Sequence, residues 1–149
     1  MGDHDRSDHR DVHRVLVAYC DCIDERDIDR LARDVYTPDA VDDHGWGPWT
    51  GIDAILEGLR PVVVRFAGTA HLMSNVDIEV DGDEARSRAG VTAWHWNAGN
   101  LKGVADFVAV GRYTDSLVRT EQGWRLRHRE YRPIGPTIKA AGELAPMPS

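Results

Sequence analysis

The sequence predicts an α+β domain, with three helices first and an antiparallel meander after them. Two observations carry this. Apolar residues recur at three-to-four spacing as far as Val63, and beyond His71 they alternate with polar ones. Turn-forming clusters, Asp81-Gly82-Asp83, Asn97-Ala98-Gly99-Asn100 and Thr120-Glu121-Gln122-Gly123, then divide the second half into hairpin-linked runs. Helices followed by strands, without alternation between them, argue against a βαβ fold.

Each element has its own signal. Residues 1–10 mix Asp, His, Arg and Ser without an apolar period and are expected to form a disordered tail. Val12, Val15, Leu16, Tyr19 and Ile23 mark an amphipathic first helix over about 8–23. Ile28, Leu31, Ala32 and Val35 mark a second, with Asp24, Glu25 and Asp27 at its dipole-favoured start and Thr37-Pro38 at its end. A short strand at Ala40-Val41 leads into the aromatic loop DDHGWGPW. The third helix begins at Gly51-Ile52-Asp53 and carries Ile55, Leu56, Leu59, Val62 and Val63, with Pro61 as a kink or division point.

The strands follow. Val76, Ile78 and Val80 alternate up to the Asp-Gly turn, and further strands are expected at 84–97, 102–119 and 124–132. Pro133, Pro136, Pro146 and Pro148 mark a C-terminal tail, so the domain is expected at 11–135 and the tail at 136–149.

Composition narrows the function classes. The chain has 149 residues, 42% apolar and 29% charged, the balance of one globular domain. A net charge of -7 weighs against binding nucleic acid, although WRLRHREYR concentrates four arginines that strand alternation would split between faces. The opening MGDHDRSDHRD lacks a signal-peptide core, and no apolar run reaches the roughly 20 residues of a membrane span. A soluble, cytoplasmic protein with no membrane partner is expected. Cys20 and Cys22 lie about 200° apart on a helix, which disfavours a disulfide, and no second pair completes a zinc set.

The candidate chemistry centres on Asp24 and His71. A carboxylate that orients one imidazole nitrogen frees the other to take a proton. Each residue has a plain alternative: Asp24 as a helix N-cap, and His71 as a satisfied rim residue. Tyr19 is a candidate phenolic donor, but on one continuous helix it would sit roughly 140° from Asp24. Convergence would require Asp24 to lie beyond the first helix. His95 points inward only if Trp94 and Trp96 point outward, since period two admits one set. Asp106 either has a cationic partner or faces solvent, and Arg112 and Arg119 either hold an anion or form surface ion pairs. Trp46 and Trp49 form either a lid over a cavity or a plug of the core. The absence of phosphate-loop, dinucleotide, His-Glu-x-x-His and nucleophile-elbow patterns points to chemistry without a cofactor.

The segments YCDCIDERDIDRLARDVYTPDAVDD, WGPWTGIDAILEGL, TAHLMSNVDIEVDGDEARSRAGV and GRYTDSLVRTEQGWRLRHREY resemble the SnoaL-like group of the nuclear transport factor 2-like superfamily over about residues 11–132. The resemblance implies a conical barrel, a curved antiparallel sheet closed by three N-terminal helices around a deep cavity. In pattern the chain is similar to scytalone dehydratase, bile acid dehydratase and hexachlorocyclohexane dehydrochlorinase. These have an aspartate ending the first helical stretch and a T-x-H-x-x-x-N strand start, matched by Asp24 and by Thr69, His71 and Asn75.

By that resemblance His71 is the general base, Asp24 its orienting group, Tyr19 a donor to substrate oxygen and His95 a second histidine that returns a proton. Trp46, Trp49, Phe66, Met73, Trp94 and Phe107, with Asp106 and Arg112, are the candidate substrate-binding residues. The implied activity is cofactor-free, metal-free lyase chemistry on a small hydrophobic or ring-bearing molecule. The alternatives are an isomerase or polyketide cyclase on the same fold, or a non-catalytic ligand-binding protein. A homo-oligomer, trimer or dimer, is expected.

Overall fold

The computed structural model describes residues 3–97, 105–135 and 138–139. Helix α1 spans Asp3–Asp24, starting ahead of the expected position. Its stripe of Val12, Val15, Leu16, Tyr19, Cys20 and Ile23 is buried, the arrangement that three-to-four spacing dictates. Arg26, at φ +62°, turns the chain out of α1. The Arg26 guanidinium donates to the Phe66 carbonyl at 2.6 Å and also to that of Ala67, tying the end of α1 to the segment before the third strand.

The expected second helix is absent as such. A single π-helical turn, Leu31–Val35, buries Leu31 and Val35 and passes directly into strand β1, Tyr36–Asp43. The residue before a proline is disfavoured in the α region, so Thr37-Pro38 favours extended backbone there. Strand β2 is Trp49–Thr50 and helix α2 is Ile52–Val64, which contains Pro61 without ending.

Four long strands complete the sheet: β3 (Gly68–Asp81), β4 (Glu84–Trp96), β5 (Phe107–Thr120) and β6 (Gly123–Pro133). A two-residue strand β7, Ile138–Lys139, pairs with β5. Most of the expected turn at 97–100, the start of the strand expected at 102–119 and most of the 136–149 segment lie outside the described residues.

The sheet order is β2-β1-β6-β5-β4-β3. The closed antiparallel barrel is corrected in two respects. The sheet is mixed, because β1 runs parallel to β6. It is also open, with β2 and β3 at opposite ends of the strand order and α1 packed against β3. Closure would need β3 to pair with β2, and the helical layer covers the sheet instead. The three expected N-terminal helices are two α-helices and one π turn.

Two bulges decide which side chains face the core. Between Ser74 and Asp77 the β3 register shifts, with Asn75 at φ +49°. An extra residue there reverses the alternation. His71 and Met73 therefore share an inner face with Val76, Ile78 and Val80, although the two sets are out of step in the sequence. A second shift opposite Ser116/Leu117 does the same in β6, where Trp124 and Leu126 are buried before it and Arg129 after it.

Candidate active site

The sheet's inner face, α1, α2 and the loop after β1 enclose a cavity of about 570 Å³, within the range of small-molecule sites. Tyr19, His71, His95, Phe66, Phe107 and Trp46 line it.

Asp24 stands at the end of α1 with its carboxylate directed to β3. It accepts three hydrogen bonds: from His71 Nδ1 at 2.6 Å, from the His71 backbone N–H at 2.8 Å, and from Thr69 Oγ1 at 2.8 Å. Burial pushes this carboxyl up, but the His71 ring and backbone bonds, the His71 charge and Thr69 together carry it below the ordinary carboxylate value. An ionised Asp24 keeps the His71 proton on Nδ1, which leaves the Nε2 lone pair for the cavity. The N-cap alternative does not hold, since Arg30 precedes the π turn and the Asp24 carboxylate is spent on β3.

His95 also faces inward, its ring 6.0 Å from that of His71 and stacked on Phe107 at 4.3 Å. Trp94 and Trp96 accordingly stack on each other away from the cavity, with Trp94 38% exposed. The His95 Nδ1 donates to the Ala93 carbonyl at 3.1 Å. Burial, then the neighbouring His71 charge, pushes its pKa down to about 4. His95 is therefore neutral at physiological pH, and its Nε2 can accept a proton or hydrogen bond but has none to give.

Tyr19 and Asp24 belong to one continuous helix, and of the two only Tyr19 lines the cavity. Tyr19 turns toward His44, its hydroxyl 3.5 Å from His44 Nε2. Burial, followed by the nearby Tyr113 and Asp42, raises its pKa well above 10, so the phenol stays protonated. Its ring is held by the guanidinium of Arg129, 4.1 Å above it and 4.0 Å from the Tyr113 ring. Arg129 is fully buried and bidentate to Asp115 at 2.8 Å through both Nε and Nη2. This is the one arginine of the basic run that its bulge turns into the core.

The aromatic loop divides its tryptophans. Trp46 is 70% exposed at the cavity wall, whereas Trp49 packs beside the core over Gly58 of α2, where an added Cβ would come within 2.3 Å of its ring. Met73 packs against the core. Asp106 accepts the Asn97 backbone N–H at 2.6 Å, and Arg112 is exposed on β5. Trp49, Met73, Trp94, Asp106 and Arg112 do not line the cavity.

Sequence reasoning missed His44, which lines the cavity 2.6 Å from the fully buried Asp42, and also Tyr113 and Tyr131. An Asp-x-His pair brackets one step of strand alternation, a spacing that puts both side chains on one face. That was the available signal. Cys20 and Cys22 are buried free thiols, both pushed up to about 11, chiefly by burial. Among the described residues no three His, Cys, Asp or Glu side chains converge in a metal-binding arrangement. No described helix is long and apolar enough to cross a membrane.

Comparison with known proteins places this architecture. An uncharacterized protein of Mycobacterium tuberculosis is 38% identical over 128 residues, 83% of each chain. The structure named "Putative Scytalone Dehydratase" from Novosphingobium aromaticivorans superposes with a TM-score of 0.83 at 27% identity, covering 97% of this chain and 95% of that one. A hexachlorocyclohexane dehydrochlorinase from Novosphingobium barchaimii superposes with a TM-score of 0.83 over 99% of this chain and 100% of its own, at 22% identity, a likeness of fold alone. The SnoaL-like domain profile matches residues 5–130, and the chain belongs to that family.

Proposed function

We propose that this protein is a dehydratase-type lyase that acts on a small hydrophobic, ring-bearing molecule by removing a proton from carbon. The observation that carries the reading is the 2.6 Å contact between His71 Nδ1 and Asp24 Oδ1, with the same ring bordering the cavity. In the reaction His71 Nε2 takes the proton from a carbon next to a carbonyl. The C–H electron pair forms the new double bond, and the leaving group departs from the adjacent carbon. Asp24 stabilises the imidazolium, a role of pairing rather than proton transfer. Tyr19, held protonated, donates to a substrate oxygen. Phe66, Phe107 and the His95 ring form an apolar wall suited to a flat ring.

The likeness to a structure named for scytalone dehydration supports the same reading. Isomerisation and cyclisation begin with the same proton abstraction, and a ligand-binding protein would have no use for an ionised carboxylate aligned on a cavity histidine. The test is elimination of water from bicyclic β-hydroxyketones, followed by the absorbance of the conjugated product. Turnover by the protein and its loss in His71→Ala are expected. Turnover unchanged in His71→Ala would remove His71 as the base.

A further inference from the structure

The cavity that His71 lines is bordered by a second imidazole with an acid beside it, His44 with Asp42. Asp42 is fully buried on β1, and its Oδ2 accepts the Tyr36 hydroxyl at 2.5 Å. Its Oδ1 lies 2.6 Å from His44 Nδ1, a close approach without hydrogen-bonding alignment, and neither atom has a hydrogen-bond partner among the described residues. The His44 ring stacks on Tyr131 at 5.5 Å and on Trp46 at 5.9 Å, and its Nε2 is 3.5 Å from the Tyr19 hydroxyl. The ring thus has a buried carboxyl group on one side and aromatic faces on the others.

We propose that His44, positioned by Asp42, is the general acid that protonates the departing group, and that this group is a hydroxyl. The inference rests on His71 being the carbon base. Hydroxide leaves carbon poorly and needs a proton as the C–O bond breaks, whereas a halide leaves as a stable anion without one. In the step, the proton on His44 Nε2 passes to the hydroxyl oxygen directly or through Tyr19. The C–O electron pair goes to that oxygen, water departs and His44 becomes neutral. The proton taken from carbon is then on His71 Nε2, and its return to His44 through solvent restores the resting enzyme. His95, with a lone pair on Nε2, cannot fill this role.

The test compares three reactions of one bicyclic ketone framework: loss of water from the β-hydroxyketone, loss of chloride from the β-chloroketone, and α-deuterium exchange of the parent ketone. His44→Gln is expected to slow water loss by about 10²- to 10⁴-fold while changing chloride loss and exchange by less than about threefold. His44→Phe keeps the aromatic stack and gives the same comparison if the glutamine variant does not fold. Water loss within about threefold of the parent protein, or equal slowing of all three reactions, would overturn the assignment. If the unmodified protein catalyses none of the three, the carbon-base reading itself falls, an outcome distinct from failure of His44 alone.

Discussion

Asp24 grips His71 twice, at the ring Nδ1 and at the backbone N–H, so one carboxylate fixes both the tautomer of the imidazole and the position of its strand. Helix α1 and strand β3 are thereby locked at the point where chemistry is proposed.

Asp24→Asn can still accept the backbone bond but no longer pairs with an imidazolium. Turnover of a β-hydroxyketone is expected to fall by about 10²- to 10⁴-fold, with KM changed far less. Thr69→Val removes one of the three hydrogen bonds to the carboxylate. A loss of about 0.5–1.5 kcal/mol, or roughly two- to twelvefold in kcat, is expected from steady-state kinetics.

Stability should depend on pH through His95. Its folded pKa of about 4 lies below the ordinary 6.5, so between those values the unfolded chain binds a proton that the folded chain does not. The His95 contribution is complete above about pH 6.5 and is lost as pH falls toward 4. Asp24, depressed below 3.8, adds a further loss only as pH falls through its folded value. Thermal melting of His95→Phe across this range is expected to show a flatter profile than the parent. Parallel profiles would contradict the burial of a neutral His95.

Asp115→Ala strands the Arg129 guanidinium in the core without its counter-charge. A destabilisation of about 3–5 kcal/mol is expected in urea unfolding. Replacing both partners by apolar residues, Arg129→Met with Asp115→Leu, is expected to recover much of it, because no uncompensated charge remains.

Trp46→Ala separates binding from stability. The side chain is 70% exposed yet borders the cavity beside His44. The melting temperature is expected to hold, while loss of an aromatic contact of about 0.5–1.5 kcal/mol raises KM by about two- to tenfold.

The sequence displayed the helices α1 and α2 and the hairpin at Gly82 plainly, because each has a local cause in apolar spacing or turn chemistry. Alternation leaves the inner face of the 84–97 run open between His95 and the pair Trp94 and Trp96, and only the structure turns His95 inward. What stayed hidden depends on partners distant in the chain. The parallel pairing of β1 with β6 joins Tyr36 to Leu126, and no local pattern announces it. The bulges at Asn75 and before Arg129 invert the faces of their strands, so period two read straight through misplaces half of each. His44 follows the last residue of β1 in a glycine-rich bend, where no periodic pattern signals which way a side chain points. The charges of Asp106 and Arg112 suggest contact with a substrate, but neither residue type reveals which face its backbone will present.

The proposed chemistry requires His71 to act as a base toward carbon. In D₂O, NMR of a bicyclic ketone without a leaving group isolates that step from every later one. The unmodified protein is expected to exchange the α-protons, and His71→Ala to lower the rate by about 10²- to 10⁴-fold with the fold intact. Exchange at the same rate in a folded His71→Ala protein would contradict His71 as the carbon base.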